Sequence, residues 1–87
     1  MRPQRLTGLT ADEDRSGMRR QPVASSSLTS VGFDPATNEL EIEFRGGGIY
    51  RYSVPRRIHR ELMAAESLGA YFARQIRHTY PGWKVAD

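Results

Sequence analysis

The sequence contains no cysteine, which excludes disulfide bonds, thiolate metal ligands and a cysteine nucleophile together. It also lacks any apolar run near the roughly 20 residues that a membrane-spanning helix needs. The N-terminal arginines are not followed by the apolar segment of a secretory signal, so we expect a cytoplasmic protein. With 87 residues, the chain suits one small domain and is too short for two separate cores.

Lysine is almost absent, because arginine supplies all but one of the basic residues. The formal net charge is only +3, but the charges are segregated along the chain. Residues 1–24 carry five arginines against three acids, residues 25–44 carry four acids and no base, and residues 45–84 carry eight bases against two acids. A protein polarised in this way attracts an anionic partner to one side.

Three stretches of alternating residues predict β-strands. The first begins at Leu28 and leads into a turn over residues 34–38. In the second, Glu39–Phe44, apolar residues alternate with glutamates, so we expect one buried face and one wet glutamate face. The third covers residues 49–54 and follows three glycines that suit a hairpin turn with positive φ. A phosphate-binding loop is the alternative for these glycines, but such a loop opens into a helix rather than a strand.

Two helical patterns follow the strands. Pro55 suits the first turn of a helix, and an apolar stripe then recurs at helical spacing, which predicts a helix over residues 55–66. Ser67 is a candidate N-cap for a second helix, which ends before the Pro-Gly pair at residues 81–82.

These elements predict an α+β domain over residues 25–85. A three-stranded antiparallel β-meander packs against two C-terminal α-helices in the order β-β-β-α-α. Residues 1–24 show no sustained periodicity, and we expect them to form a disordered basic arm. The expected core takes apolar residues from both layers: Leu40, Ile42, Phe44, Ile58, Leu62, Phe72 and Ile76.

Several segments together resemble those of one protein family. They are "RQPVASSSLTSVGFD", "LEIEF", "GGIYRY", "VP", "LMAAES", "GAYFARQIR" and "TYP", in that order, within residues 19–81. On these residues the chain resembles the KTSC domain, a small domain named for its occurrence after the C-terminus of some lysyl-tRNA synthetases. The resemblance implies the family's fold and, through the synthetase association, a role in nucleic-acid binding. It brings no catalytic residues with it.

One departure from the family concerns charge. Members often carry an acid after the Val-Pro pair, whereas this chain has Arg56 and Arg57, with Arg60 one turn later. A cation near a helix N-terminus costs about 0.3–1 kcal/mol, because that end already carries partial positive charge. These arginines are therefore candidates for phosphate contacts, and the alternative is a solvated face in an arginine-rich protein. Arg19 and Arg20, in the predicted arm, join them as candidates.

A second candidate strip lies on the second predicted helix. Tyr71, Arg74 and His78 are spaced so that they share one side, and Arg77 lies beside them. Residues of these types stack on bases and contact phosphates. The alternative is that Arg77 and His78 only complement the dipole at the end of the helix.

The leading hypothesis is a small non-catalytic domain that binds nucleic acid, either RNA or DNA, with low sequence specificity through its arginines. The alternative is a protein–protein interaction or homodimerisation module that docks by an exposed strand edge or by its helix pair. For Tyr50 and Tyr52, core packing is favoured over base stacking. No set of nucleophile, base and orienting group can be assembled, so we expect no enzyme. His59 and His78 lack a helical partner carboxylate, and we expect no metal, cofactor or small-molecule substrate.

Overall fold

The computed structural model describes residues 18–87. They form one antiparallel sheet whose five strands are neighbours in chain order, and the helices pack against one face. The strands are β1 Gln21–Pro22, β2 Leu28–Asp34, β3 Glu39–Phe44, β4 Ile49–Ser53 and β5 Gly82–Ala86. The helices are α1 Arg56–Ala64 and α2 Leu68–Tyr71, which continues as a π-helical turn, Phe72–Ile76. No helix in this part of the chain is long and apolar enough to cross a membrane.

The α+β class is confirmed, but the prediction of three strands is wrong because the sheet gains a strand at each edge. β1 lies within residues 18–24, which we expected to belong to a disordered arm, and it places Gln21 opposite Val31. At the other edge β5 pairs with β4. The sequence predicted neither edge strand. β1 has only two residues, too few to show an alternating pattern, and Gly82 and Lys84 interrupt the apolar alternation of β5. Residues 1–17 of the predicted arm lie outside the described residues.

The main core lies between the sheet and the helices. All seven predicted core residues contribute to it, although Phe44 is only partly buried. The alternation of β3 sends its apolar side chains to the helix face, and the spacing of Ile58 and Leu62 turns one side of α1 toward them. Tyr52 is in the core and Tyr50 packs against it, as we expected for both tyrosines. The core also contains residues that we did not predict: Leu28, Val31, Val54 and Leu68.

An aromatic cluster centred on Phe72 joins the π-helical turn to the sheet. The ring of Phe72 meets those of Phe44 and Tyr52 edge to face, each at 5.2 Å between centroids. The backbone N–H of Arg77 donates to the carbonyl of Phe72 at 3.0 Å, which closes the π-helical turn. Phe72 therefore connects the second helical segment with β3 and β4 at one point.

The second face of the sheet is not a wet glutamate face, because Glu41 is fully buried there. The Arg20 guanidinium donates to Oε2 of Glu41, and neither side chain retains exposed surface. On the other side of Glu41, Nε of Arg51 donates to Oε1 at 2.7 Å. Nε of Arg20 also donates to the Ser30 hydroxyl at 2.9 Å. Two guanidinium groups thus satisfy a carboxylate that the alternating pattern assigned to solvent.

A glycine allows the N-terminal segment, which we define as residues 18–20, to reach this face. Gly32 pairs with Glu41 across β2 and β3, so a side chain at position 32 would point to the same face. A Cβ at that position would collide with the carbonyl oxygen of Arg19 and approach Cγ of Arg20 to 3.0 Å. The N-terminal segment therefore crosses the sheet directly over Gly32, and Met18 is buried at its start.

We expect Phe72→Ala to lower the free energy of unfolding by about 3–5 kcal/mol, because it empties the aromatic cluster. Urea titration followed by circular dichroism measures this loss. Gln75→Ala, at an exposed position in the same π-helical turn, is the matched control and should stay within about 0.5 kcal/mol of the parent protein. Equal midpoints for the two variants would contradict the central position of Phe72.

We expect Arg20→Met and Glu41→Gln each to destabilise the protein by about 3–5 kcal/mol. The first removes one of the two guanidinium groups that hold the buried Glu41 carboxylate, and the second leaves the buried Arg20 without its carboxylate. The double variant leaves neither charge of that pair behind, so it should cost less than the two single changes added together. A double-mutant cycle from urea titrations measures the difference. Strict additivity would show that Arg20 and Glu41 do not interact in solution.

Candidate nucleic-acid interface

A groove of about 720 Å³ lies where the N-terminal segment, the end of β2 and the start of α1 meet. We call it the arginine groove. Arg56, His59 and Arg60 of α1 line it together with Phe33 at the end of β2 and the neighbouring Pro35. Of the described residues that line it, four are arginines and none is acidic.

The first turns of α1 bring two of the predicted arginines to this groove. Arg56 and Arg60 are four residues apart, so they lie on one side of the helix, and both are exposed. Neither side chain forms a hydrogen bond or an ion pair within residues 18–87, and the first turn contains no acidic residue. Pro55, which we expected inside the first turn, is the N-cap and provides no side-chain acceptor. Positive charge therefore accumulates at the start of α1, where the helix dipole disfavours it.

The third predicted arginine of α1 differs from its neighbours. Arg57 donates to Oε2 of Glu61 at 3.2 Å, and Tyr71 of α2 donates from its hydroxyl to Oε1 of the same carboxylate at 2.7 Å. The bond from Tyr71, followed by that from Arg57, lowers the pKa of Glu61. Partial burial, reinforced by the hydrogen bond to Glu61, raises the pKa of Tyr71 to about 12. Arg57 and Tyr71 thus belong to a contact between α1 and α2, not to the arginine groove.

An aromatic pair forms part of the lining of the groove. The rings of Phe33 and His59 stack with their centroids 4.8 Å apart and their planes 6° from parallel. Both side chains are partly buried, and burial lowers the pKa of His59. Burial thus favours the neutral imidazole, and the pair presents an aromatic surface next to the two arginines.

Arg19 and Arg20 are adjacent in the chain, but Arg19 is exposed and Arg20 is buried. Arg19 is exposed and lines the arginine groove. Arg20 borders the groove, but its guanidinium is buried against Glu41, so our prediction that it contacts phosphate does not fit its position. The reason is that Glu41 needs a cation on the second face of the sheet, and Arg20 supplies it.

The remaining candidates lie on the π-helical turn and just beyond it. Arg74 and His78 are exposed and do not line the arginine groove. The guanidinium of Arg77 lies 5.3 Å from the centroid of the Phe72 ring, next to a smaller groove of about 300 Å³. The predicted set therefore does not form one surface. The structure brings together Arg19, Arg56 and Arg60 and separates them from Tyr71, Arg74, Arg77 and His78.

Sequence reasoning missed Phe33 and His59 as site residues. Phe33 was interpreted as a strand residue and His59 as a lone histidine, because no local period links positions so far apart in the chain. The one signal available was that His59 follows Arg56 by three residues, which places both on the same side of α1.

Among residues 18–87, histidine and acidic side chains form no group of three that could hold a metal ion.

The glycines between β3 and β4 have the role that we favoured for them. Gly47 and Gly48 have φ values of +117° and +92°, which residues with a side chain rarely adopt. The N–H of Gly47 donates to the carbonyl of Phe44 at 2.9 Å, closing the turn of the hairpin. These glycines lead into β4 and not into a helix, so they do not form a phosphate-binding loop at a helix N-terminus.

Comparison with known proteins places this fold and sequence in a family. An uncharacterized protein of Stutzerimonas stutzeri is 40% identical over 70 residues, which cover 78% of this chain and 99% of that protein. A protein of Tsukamurella paurometabola is 44% identical over 52 residues, covering 59% of this chain and 78% of its own length.

A solved structure and a family model agree with these matches. The crystal structure of a KTSC domain protein from Yersinia pestis superimposes with a TM-score of 0.76 and 43% identity, over 79% of this chain and 99% of that one. The family model of the KTSC domain matches residues 24–80. The matched residues include β2, β3, β4 and both helices. The chain therefore belongs to the KTSC domain family.

Proposed function

We propose that this protein is a non-catalytic nucleic-acid-binding module of low sequence specificity, and that it contacts phosphate through the arginine groove. The observation that supports this proposal most directly is the position of Arg56 and Arg60. Both are exposed at the same groove, and within the described residues neither side chain forms a hydrogen bond or an ion pair. A cation pair that opposes the helix dipole needs an external anion to become favourable.

The chemistry of the groove fits a polyanion better than a single small acid. Arg19 extends the basic lining onto the N-terminal segment, opposite α1. Contacts between arginine and phosphate position a nucleic-acid strand but carry no sequence information, which accounts for the low specificity in the proposal. The proposal also includes a cytoplasmic location and the lack of enzymatic activity, both of which rest on the sequence alone.

We expect Arg56→Gln/Arg60→Gln to weaken binding of a labelled oligonucleotide by about tenfold or more at low salt, because two phosphate contacts are lost. Fluorescence anisotropy over a series of salt concentrations measures both affinity and salt dependence. For a single strand, loss of two contacts should reduce the slope of log K against log salt by about 1.4.

The matched control is Arg57→Gln/Arg74→Gln. It removes the same number of positive charges from the same helical layer, but neither residue lines the arginine groove. If binding depends only on net charge, the two double variants will lose affinity equally, and the assignment to the groove fails. If the parent protein binds neither RNA nor DNA at low salt, the proposed function fails altogether.

One observation favours a second candidate function, which is self-association through the edge of the sheet. β5 is an edge strand, and it carries Trp83, a large apolar side chain that is 42% exposed. An exposed edge strand pairs readily with a strand of another chain, although Lys84 on the same strand opposes such pairing. In this alternative, two copies pair their β5 strands.

We expect Trp83→Lys to abolish a dimer of this kind, because it adds a second lysine to the pairing edge. Sedimentation equilibrium at several protein concentrations measures the oligomeric state of the parent and the variant. A parent protein that remains monomeric at all concentrations, with little response to Trp83→Lys, would eliminate this second candidate.

A further inference from the structure

We infer that the arginine groove accepts an unpaired nucleotide, so that the protein selects single-stranded over double-stranded nucleic acid. This inference rests on the proposed function and assigns it a class of partner. It follows from three properties of the groove: its volume, its aromatic lining and the position of its cations.

The volume of the groove suits a single nucleotide. Concave sites that enclose small organic ligands have volumes of about 300–1,000 Å³, and the arginine groove has about 720 Å³. A duplex presents its phosphates on a convex surface and keeps its bases stacked inside, so it offers nothing that fills a concave site of this size. A single strand can turn one base into it.

The lining of the groove suits a base more than a phosphate. Phe33 and His59 form a flat stacked pair, and Pro22 and Pro35 add apolar surface around it. Both rings line the groove and both are only partly buried, so the pair offers aromatic surface on which a base can stack. Stacking of a base on an aromatic side chain contributes about 1–3 kcal/mol and is available to every base. Strand selectivity can therefore accompany low sequence specificity.

The cations are placed to hold the sugar-phosphate backbone of the same strand. Arg56 and Arg60 flank His59 on α1, one before it and one after it in the sequence. All three side chains line the same groove, so a base next to His59 has two arginines within the site that holds it. Asp34, the acidic residue next to Phe33, accepts the backbone N–H of Ala36 at 2.9 Å and so is engaged in the β2–β3 turn.

The test compares three labelled ligands of equal length: a single strand, the corresponding duplex and a single strand without bases. The abasic strand keeps the phosphates and removes stacking, so it separates the two contributions. We expect the parent protein to bind the normal single strand about tenfold or more tightly than either of the other ligands. Phe33→Leu/His59→Leu should reduce its affinity to that of the abasic strand and leave the salt dependence unchanged.

Trp83→Leu is the matched control, since it removes an exposed aromatic ring outside the groove and should preserve the preference. Circular dichroism establishes whether the groove variant is folded. If it is not, titration of the parent protein with a nucleoside monophosphate, followed by the ring-proton NMR signals of Phe33 and His59, provides a second measurement. We expect these signals to shift, and unmoved signals would overturn the inference.

Failure of the inference differs from failure of the proposed function. If all three ligands bind equally, and Arg56→Gln/Arg60→Gln weakens all of them, the groove binds phosphate without seating a base. The proposed function then stands, and the inference falls. If none of the ligands binds at low salt, both fall together.

Discussion

The rest of the structure depends on the buried ion pair between Arg20 and Glu41. An isolated carboxylate in the interior costs several kcal/mol, so β3 can keep Glu41 in the middle of the sheet only if cations reach it. Arg51 comes from the neighbouring strand, but Arg20 has to come from the N-terminal segment. The chain must therefore cross the second face of the sheet over Gly32 before it forms β1.

The parts of the fold that local patterns determine could be predicted from the sequence. The alternation of β3 and the helical spacing of Ile58 and Leu62 place their apolar side chains correctly, because both patterns are complete within a few residues. The burial of Glu41 could not be predicted from a local pattern. Glu39, Glu41 and Glu43 look equivalent in the alternation, and only a partner 21 residues earlier in the chain distinguishes the middle one. β1 was missed for a related reason, since pairing with β2, and not its own composition, makes it a strand.

In the candidate site, too, local patterns predicted some residues, and tertiary contacts determine the others. Arg56 and Arg60 were identified because they violate a local rule, the preference for acids at a helix N-terminus. Arg19 and Arg20 are adjacent and chemically identical, yet Arg19 is exposed at the groove and Arg20 is buried against Glu41. The stack of Phe33 on His59 depends on how α1 packs against β2. That arrangement is a property of the tertiary fold, so the spacing of residues along the sequence does not reveal it.

These two features, the buried ion pair and the arginine groove, are physically coupled. Arg20 holds the N-terminal segment on the sheet, and the same segment supplies Arg19 to one wall of the groove. The bond to Glu41 is not the segment's only attachment, because β1 follows directly and pairs with β2. The main core holds α1, with Arg56 and Arg60, independently of this ion pair. The Phe33–His59 stack likewise joins β2 to α1 without the N-terminal segment. The buried carboxylate therefore bears on the groove through Arg19, whereas the aromatic pair and the cations of α1 depend on the packing of the helix against the sheet.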